Sequence, residues 1–193
     1  MTPFEYRLLA GDPSTKYGEI KKFPDVPGGD WNLHEGLPLA PNFQPSVTWS
    51  IAPNSGNLIG DFVKNLGDML ILSRRARDLF EAEGIYPPVI EYLPFILKNK
   101  KGRVVDSAEY CLANPLRKVM CLDRSRSNFV ATPDGDVAAV NALEVDVAQI
   151  PNDLKVFRLG EYPRITILRS DLIERCKTAE LKGLYTLNMG DDL

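Results

Sequence analysis

The sequence predicts an α+β fold, in which a mixed, mostly antiparallel sheet is covered by two main helices and preceded by a proline- and glycine-rich N-terminal wrap. Two segments carry apolar residues at helical spacing, and short apolar runs typical of strands flank each of them. The other apolar runs are also short and are separated by turn sequences, which favours several paired strands. Helices that cover such a sheet give the α+β class.

The length of 193 residues fits a single domain. Residues 1–60 are interpreted as an N-terminal strand and a wrap packed on the core, and residues 61–193 as the α+β core itself. The apolar fraction of 44% and the charged fraction of 25% are ordinary for a globular protein. A chain of this size buries enough surface to fold without disulfides or metal ions.

The N-terminal region begins with a predicted strand, Phe4–Ala10, which ends at the turn sequence Gly11–Ser14. Prolines and glycines are frequent from Gly18 to Asn57. Regular elements there must be brief, because proline fixes φ and lacks a backbone N–H. Aromatic and leucine side chains are interspersed in the same stretch, and such side chains gain too much from burial to remain in a disordered linker. We therefore expect an ordered wrap.

The first helix is predicted over Ser73–Glu83. Ser73 suits the N-cap, because its hydroxyl can accept from an unpaired amide, and Gly84 suits the position just after the helix. The preceding stretch, Asp61–Leu72, is apolar and fits a helix and a strand equally well. The following stretch, Val89–Leu97, is predicted as a strand that its internal proline kinks or confines to an edge.

The middle of the chain alternates strand patterns with turn sequences. Lys98–Arg103 is predicted as a hairpin turn, and Pro133–Asp136 as a second turn. The predicted strands of this region are Val104–Leu112, Val119–Leu122, Phe129–Thr132, Val137–Val147 and Phe157–Leu159.

The C-terminal unit has the clearest pattern. Ile165–Leu168 is predicted as a strand, Ser170 as the cap of a helix that runs to about Glu180, and Leu184–Leu187 as a final strand. The same order of strand, serine-capped helix and strand surrounds Ser73, which makes a weak internal repeat.

Composition limits the classes of partner. The formal net charge is -3, whereas nucleic-acid binders carry a concentrated basic excess, so no nucleic-acid partner is predicted. The three cysteines, Cys111, Cys121 and Cys176, show no CxxC spacing and are predicted to be buried thiols in a reducing compartment. The start of the chain lacks a secretion signal, and the longest apolar runs are too short to span a bilayer. The sequence therefore predicts a cytoplasmic protein without a membrane partner.

The sequence carries no recognisable catalytic or metal-binding motif. His34 is the single histidine and has no HxH, HExxH or cysteine companion. Ser73 and Ser170 precede helices without a GxSxG elbow, so capping explains them better than nucleophilic attack. The glycines lack the phosphate-binding GxxxxGK[ST] pattern. We predict that the protein is not an enzyme and has no cofactor and no metal.

Two basic runs, Arg74–Arg77 and Lys98–Arg103, raise the alternative of a nucleic-acid surface if they meet on one face. Acidic residues follow the first run at once, however, and a lysine-rich turn is common at a solvated hairpin tip. We therefore predict that both basic runs are solvent-exposed surface residues and not a nucleic-acid surface.

Three blocks of the sequence resemble a known family, and they occur in the family's order. The C-terminal block consists of Val156–Leu159, Ile165–Leu168, Ser170–Ile173 and Leu181–Leu184. The middle block consists of Leu70–Phe80 and Val89–Pro94, and the N-terminal phrase of Leu33 and Gly36–Leu39. They resemble the immunity-protein family eleven of bacterial polymorphic toxin systems, also called the immunity MXAN-type domain. In one departure, Glu180 stands where a helix-ending glycine is common.

The resemblance implies an immunity protein that binds and neutralises a cognate toxin domain and so protects the producing cell. Tight binding of a toxin domain needs a few buried aromatic side chains at the interface and charge that complements the partner. The wrap offers both in a stretch for which no catalytic role is visible. The predicted partner-binding residues are Tyr17, Asp25, Asp30, Trp31, Glu35, Phe43 and Trp49, with the acidic members forming a rim. The alternative reading of the tryptophans is that they belong to the core.

Two other functions remain open at this point. The first is an enzyme of unrecognised type that uses His34 and a carboxylate. The second is a homo-oligomeric structural or assembly partner, for which a homodimer is the simplest form.

Overall fold

The computed structural model of the chain describes residues 4–23, 30–105 and 110–193. Within these ranges two α-helices occur, α1 (Arg74–Ala82) and α2 (Ser170–Thr178), together with 3-10 helices at Asp30–His34 and Val147–Gln149. The strands are β1 (Tyr6–Leu9), β2 (Glu19–Ile20), β3 (Thr48–Ser50), β4 (Lys64–Asn65), β5 (Leu70–Ser73), β6 (Ile90–Pro94), β7 (Ile96–Lys98), β8 (Tyr110–Pro115), β9 (Lys118–Val119), β10 (Asn128–Ala131), β11 (Val137–Ala142), β12 (Val156–Leu159), β13 (Thr166–Arg169) and β14 (Thr186–Asn188). The fold is of the α+β class.

The strands form five sheets in the described part of the chain, and not the one sheet that the sequence predicts. The largest has the order β14–β1–β13–β12–β9, in which only the β12–β9 pair is parallel. A three-stranded antiparallel sheet has the order β5–β8–β6. The two-stranded sheets are the antiparallel pair β10–β11 and the parallel pairs β2–β4 and β3–β7. The sheets are therefore mixed, as predicted.

The predicted strand Val89–Leu97 is divided between two of these sheets. β6 ends at Pro94 and pairs with β8, whereas β7 begins at Ile96 and pairs with β3. Proline cannot donate to a ladder, so the pairing changes partner at this point.

The three-stranded sheet is buried on both faces. Leu70 and Leu72 contribute to one apolar cluster, which also contains buried side chains of α1 and α2. Ile71, between them, contributes to a second cluster together with Trp49 of β3. Because both faces are covered, β5 is apolar at successive positions, and this is why the stretch Asp61–Leu72 has no clear period. The structure forms the strands β4 and β5 there, and no helix.

The five-stranded sheet separates the first cluster from a third. Leu168 packs into the cluster of the helices, whereas Ile167 and Phe157 pack on the opposite side against residues of β10, β11 and the segment 143–154. Alternate residues of one strand point to opposite faces, so a single strand serves two clusters.

Several predicted boundaries shift. The N-cap of α2 is Arg169, and Ser170 is its first helical residue, so the predicted cap at Ser170 is wrong. α2 ends at Thr178, two residues before the predicted end. Two strands, β9 and β14, are displaced from their predicted ranges because pairing partners, and not composition, fix strand ends. The predicted strand Val104–Leu112 lies partly outside the described residues, and β8 continues beyond its predicted end to Pro115. The predicted strand Val137–Val147 is shorter, as β11 ends at Ala142.

Candidate partner-binding surface

The N-terminal segment, residues 18–57 in their described part, is joined to the core by the side chain of Arg158. This arginine lies in β12 and is 2% exposed. Its guanidinium donates to the carbonyl oxygens of Leu33 (3.1 Å) and His34 (3.1 Å), both in the 3-10 helix of that segment. It also donates to Pro115 O, Pro163 O and Asn114 Oδ1. One buried cation thus connects the N-terminal segment with two sheets.

Gly36 allows the chain to pass close to this arginine. Its φ is +60°, in the left-handed region that favours glycine. A Cβ at this position would lie 2.8 Å from Cδ of Arg158. The sequence marks this glycine as part of a family phrase, but its close approach to Arg158 depends on the tertiary structure.

A second tie holds the residues that follow Gly36. The carboxylate of Glu91 accepts from the backbone N–H groups of Leu39 (2.9 Å) and Ala40 (3.2 Å). The side-chain amide of Asn114, opposite Glu91 in the three-stranded sheet, donates to Leu37 O (2.9 Å) and to Glu91 Oε2 (3.1 Å). Neither residue carries a sequence signal of this role, since each is an ordinary polar residue in a strand.

Trp49 is a core residue. It is fully buried and has aromatic contacts with Phe23, Phe43 and Phe95 at centroid distances of 5.5, 6.4 and 4.4 Å. A partner that docks on the surface cannot touch it in this arrangement, so Trp49 can act only by supporting Phe43 and Phe23 from beneath. Both of these phenylalanines are half-buried and lie closer to the surface.

The other predicted anchors lie at separate places. Tyr17 is half-buried, bridges Leu58 through its backbone and has the Lys16 ammonium 4.9 Å from its ring centroid. Glu35 is half-buried just after the 3-10 helix. Asp30 and Trp31 form the start of that helix. Asp25 lies outside the described residues.

A cleft of about 660 Å³ opens between the N-terminal segment and the C-terminal strands. The apolar side chains on its wall are Leu9, Phe23, Leu66, Val140, Ile165, Leu187 and Leu193. Leu66 is 64% exposed and Leu193 is 50% exposed. Apolar side chains that face water around a concavity are typical of a binding site.

Polar groups enter the same cleft from different elements. His34 comes from the 3-10 helix, Asp68 from the turn before β5, and Tyr162 and Arg164 from the loop before β13. Burial raises the pKa of the Asp68 carboxyl. Gly67 leaves room for the His34 ring, because a Cβ there would lie 2.6 Å from Cε1 of His34. The arrangement can hold an apolar group with a charged or polar end.

The three cysteines are buried, as predicted. Burial raises the pKa of each thiol to about 12. At neutral pH they are therefore protonated and weakly nucleophilic.

In the described ranges no group of three or more metal-ligating side chains comes together. The helices found there are also too short and too polar to cross a bilayer.

Comparison with known proteins gives one family. Residues 11–191 match the family model described as the immunity protein family (Imm11). The match includes both the N-terminal segment and the core. Among curated proteins, no significant match to this chain is found.

Proposed function

The chain belongs to the immunity protein family (Imm11), and from this membership we propose that it binds and neutralises the toxic domain of a cognate bacterial toxin. It would act in the cytoplasm of the producing cell, as an inhibitor without catalysis of its own. The observation that carries the proposal is the extent of the match, which runs over nearly the whole chain and so includes the segment that Arg158 ties to the core.

Neutralisation sets a demand on affinity that a surface of this size can meet. The toxin has to be bound with a dissociation constant of about 1 nM, which corresponds to a binding free energy of about -12 kcal/mol. A standard protein interface buries about 800 Å² on each partner. The accessible surface of this chain is 9992 Å², so such an interface needs less than a tenth of it. Binding of this kind leaves no catalytic motif in a sequence.

We place the toxin-binding surface on the N-terminal segment, the preceding Tyr17 and the adjoining cleft. The proposed contact residues are Tyr17, Asp25, Asp30, Trp31, Glu35 and Phe43, with Trp49 as internal support. Support comes from the exposed apolar side chains at the cleft, Leu66 and Leu193, which give a partner something to bury.

The acidic rim is tested by the double substitution Asp30→Lys and Glu35→Lys. A matched control is Asp78→Lys with Asp134→Lys, which makes the same change in net charge at two exposed acidic residues elsewhere. Affinity is measured calorimetrically against the purified toxic domain of the cognate toxin. We expect at least tenfold weaker binding by the rim variant and little change in the control. Equal affinities of the rim variant and the unmodified protein for the toxic domain would show that the acidic rim does not contribute to binding.

The catalytic alternative has one observation in its favour, since His34 and Asp68 line the same cleft. A histidine near a carboxylate is a common acid–base pair. The variants His34→Ala and Asp68→Asn separate the two functions. If the protein is an inhibitor, both variants still protect cells that express the toxin. Loss of protection in both, with toxin binding intact, would favour catalysis.

A further inference from the structure

A basic surface lies on the outward side of the β3–β7 sheet and of the end of β2, which an isolated bridge joins to the residue after β3. Ile20 bridges Ile51 in antiparallel fashion, so that Lys21 lies opposite Ser50, and Ser50 is paired with Lys98 in the parallel β3–β7 sheet. Paired residues share a face of a ladder. Ile20, Ile51, Trp49 and Leu97 are buried beneath. By alternation, Lys21 and Lys98 therefore point outward on either side of Ser50.

The hairpin turn that directly follows Lys98 carries further positive charge. Asn99 holds the turn, because its Oδ1 accepts from the backbone N–H groups of Lys101 (2.9 Å) and Arg103 (3.1 Å). We define the basic face as these cationic side chains: Lys21, Lys22, Lys98, Lys100, Lys101 and Arg103. In the described parts of the chain, the one ion pair of the basic face joins Lys21 to Glu19 at 3.6 Å. The other five cations are not neutralised by those residues.

This concentration contrasts with the rest of the molecule. The chain has 26 acidic and 23 basic residues, so the rest of the chain outside the six cations of the basic face has an acidic excess. Such segregation costs free energy through repulsion unless something binds to the cluster. It is typical of a surface that meets an oppositely charged partner.

A groove of about 550 Å³ runs beside the basic face. Lys21 and Lys22 line one side of it. The apolar side chains on its wall that are accessible are Phe23, Ala52 and Pro53. A ligand that fits this site is extended, carries several negatively charged groups that face the lysines, and has an apolar side chain that enters the groove.

We propose that the basic face and its groove bind an acidic, extended segment of the toxin, with carboxylates on the lysines and an apolar side chain in the groove. The proposal rests on the proposed function, because it identifies the chemistry of the partner. A protein segment fits better than nucleic acid. The apolar side chains of the groove match an aliphatic side chain, for which a nucleic acid has no equivalent. Carboxylates on the toxin also shorten the search for the partner through electrostatic steering.

The test compares two charge-reversed proteins. The first carries Lys21→Glu, Lys98→Glu and Lys101→Glu, and the control carries Arg117→Glu, Lys177→Glu and Lys182→Glu, all exposed elsewhere on the chain. Both triples change the net charge equally. At 50 mM salt we expect the first triple to bind the toxic domain at least tenfold more weakly than the unmodified protein, and the control to bind within threefold. At 500 mM salt the difference contracts, because the pairs are screened.

The outcomes separate this proposal from the proposed function. If the unmodified protein binds the toxic domain and the first triple binds it equally well, the basic face is not the site, while the function stands. If the unmodified protein does not bind the toxic domain, the proposed function fails. A fluorescent peptide of alternating Glu and Leu then still tests the basic face: binding lost in the first triple supports it, and no binding overturns it.

Two controls complete the experiment. Binding of 20-nucleotide single-stranded or duplex DNA by the unmodified protein, lost in the first triple and without peptide binding, would assign the face to nucleic acid and overturn the proposal. Circular dichroism checks folding. Should the first triple be misfolded, Lys100→Glu with Lys101→Glu replaces it, because both positions lie in the turn and outside the paired strands.

Discussion

At the scale of single residues, the two helices end in the same way with different side chains. In α1, Ile85 N–H donates to Phe80 O (2.9 Å) and Gly84 N–H to Glu81 O (3.0 Å). In α2, Leu181 N–H donates to Cys176 O (3.0 Å) in the equivalent bond. This pattern is the Schellman motif, which requires a left-handed residue just after the helix. Gly84 has φ +82°, whereas Glu180 adopts φ +55° with a side chain.

We predict opposite effects of substitution at the two positions. Gly84→Ala should lower the free energy of unfolding by about 1 kcal/mol, because a left-handed conformation is costly for a residue with a Cβ. No atom lies within 4 Å of a Cβ at Gly84, so the effect is conformational and not a clash. Glu180→Gly should raise the free energy of unfolding by a similar amount. Urea denaturation measures both, and a stabilising Gly84→Ala would contradict the argument.

At the scale of elements, one carboxylate joins the two helices. Glu83, at the C-cap of α1, accepts from Nε of Arg175 in α2 (2.8 Å) and from Nζ of Lys155 (2.7 Å). The hydrogen bonds from Lys155 and Arg175 lower the pKa of Glu83. The Glu83 and Lys155 side chains are 16% and 20% exposed, so this pair is screened less than an ion pair on the open surface.

The lowered pKa gives a pH dependence with a definite sign. A carboxylate with a lower pKa in the folded state stabilises that state above its ordinary value of 4.5, and this stabilisation is lost as the pH falls below it. Glu83→Gln should therefore cost on the order of 1 kcal/mol at pH 7 and progressively less as the pH falls through the lowered pKa of Glu83. Thermal unfolding across pH measures the difference.

Glu174→Gln is the control for Glu83. Glu174 pairs with Lys177 at 2.7 Å, but the two side chains are 67% and 64% exposed. An ion pair so exposed contributes little, and we expect no significant pH-dependent difference in this variant. An equal effect of both substitutions would show that Glu83 has no special role.

At the scale of the whole molecule, Arg158 connects distant parts of the chain. Burial lowers its pKa to about 10, with partial compensation by the charge of Glu35, and the side chain stays protonated at neutral pH. Its hydrogen bonds reach Leu33, which is 125 residues away in the sequence. Their side-chain and backbone acceptors are all neutral oxygens, so the bonds satisfy the guanidinium in place of an ion pair.

We predict that Arg158→Lys lowers the free energy of unfolding by about 3 kcal/mol, because an ammonium cannot serve five acceptors spread around a planar guanidinium. Hydrogen exchange should speed up at residues 33–40 more than in the three-stranded sheet. Toxin binding should weaken in proportion if the N-terminal segment carries the contact. Unchanged exchange at residues 33–40 would mean that other contacts hold the segment.

The sequence by itself determined what depends on neighbours in the chain. The cap at Ser73 and the left-handed Gly84 are local, because a helix end is satisfied within a few residues. The family blocks, made of such caps, turns and buried strands, predicted the Imm11 membership that the match over residues 11–191 confirms. The α+β class followed from the same patterns.

The tertiary structure alone decided how distant segments meet. It divided the strands among five sheets in the described residues, brought Arg158 to the 3-10 helix and buried Trp49, which the sequence offered as an anchor. It also turned Lys98, read from sequence as a solvated hairpin tip, toward the same side as Lys21. The physical reason is that pairing and burial depend on which surfaces meet in space, and local sequence does not encode those partners.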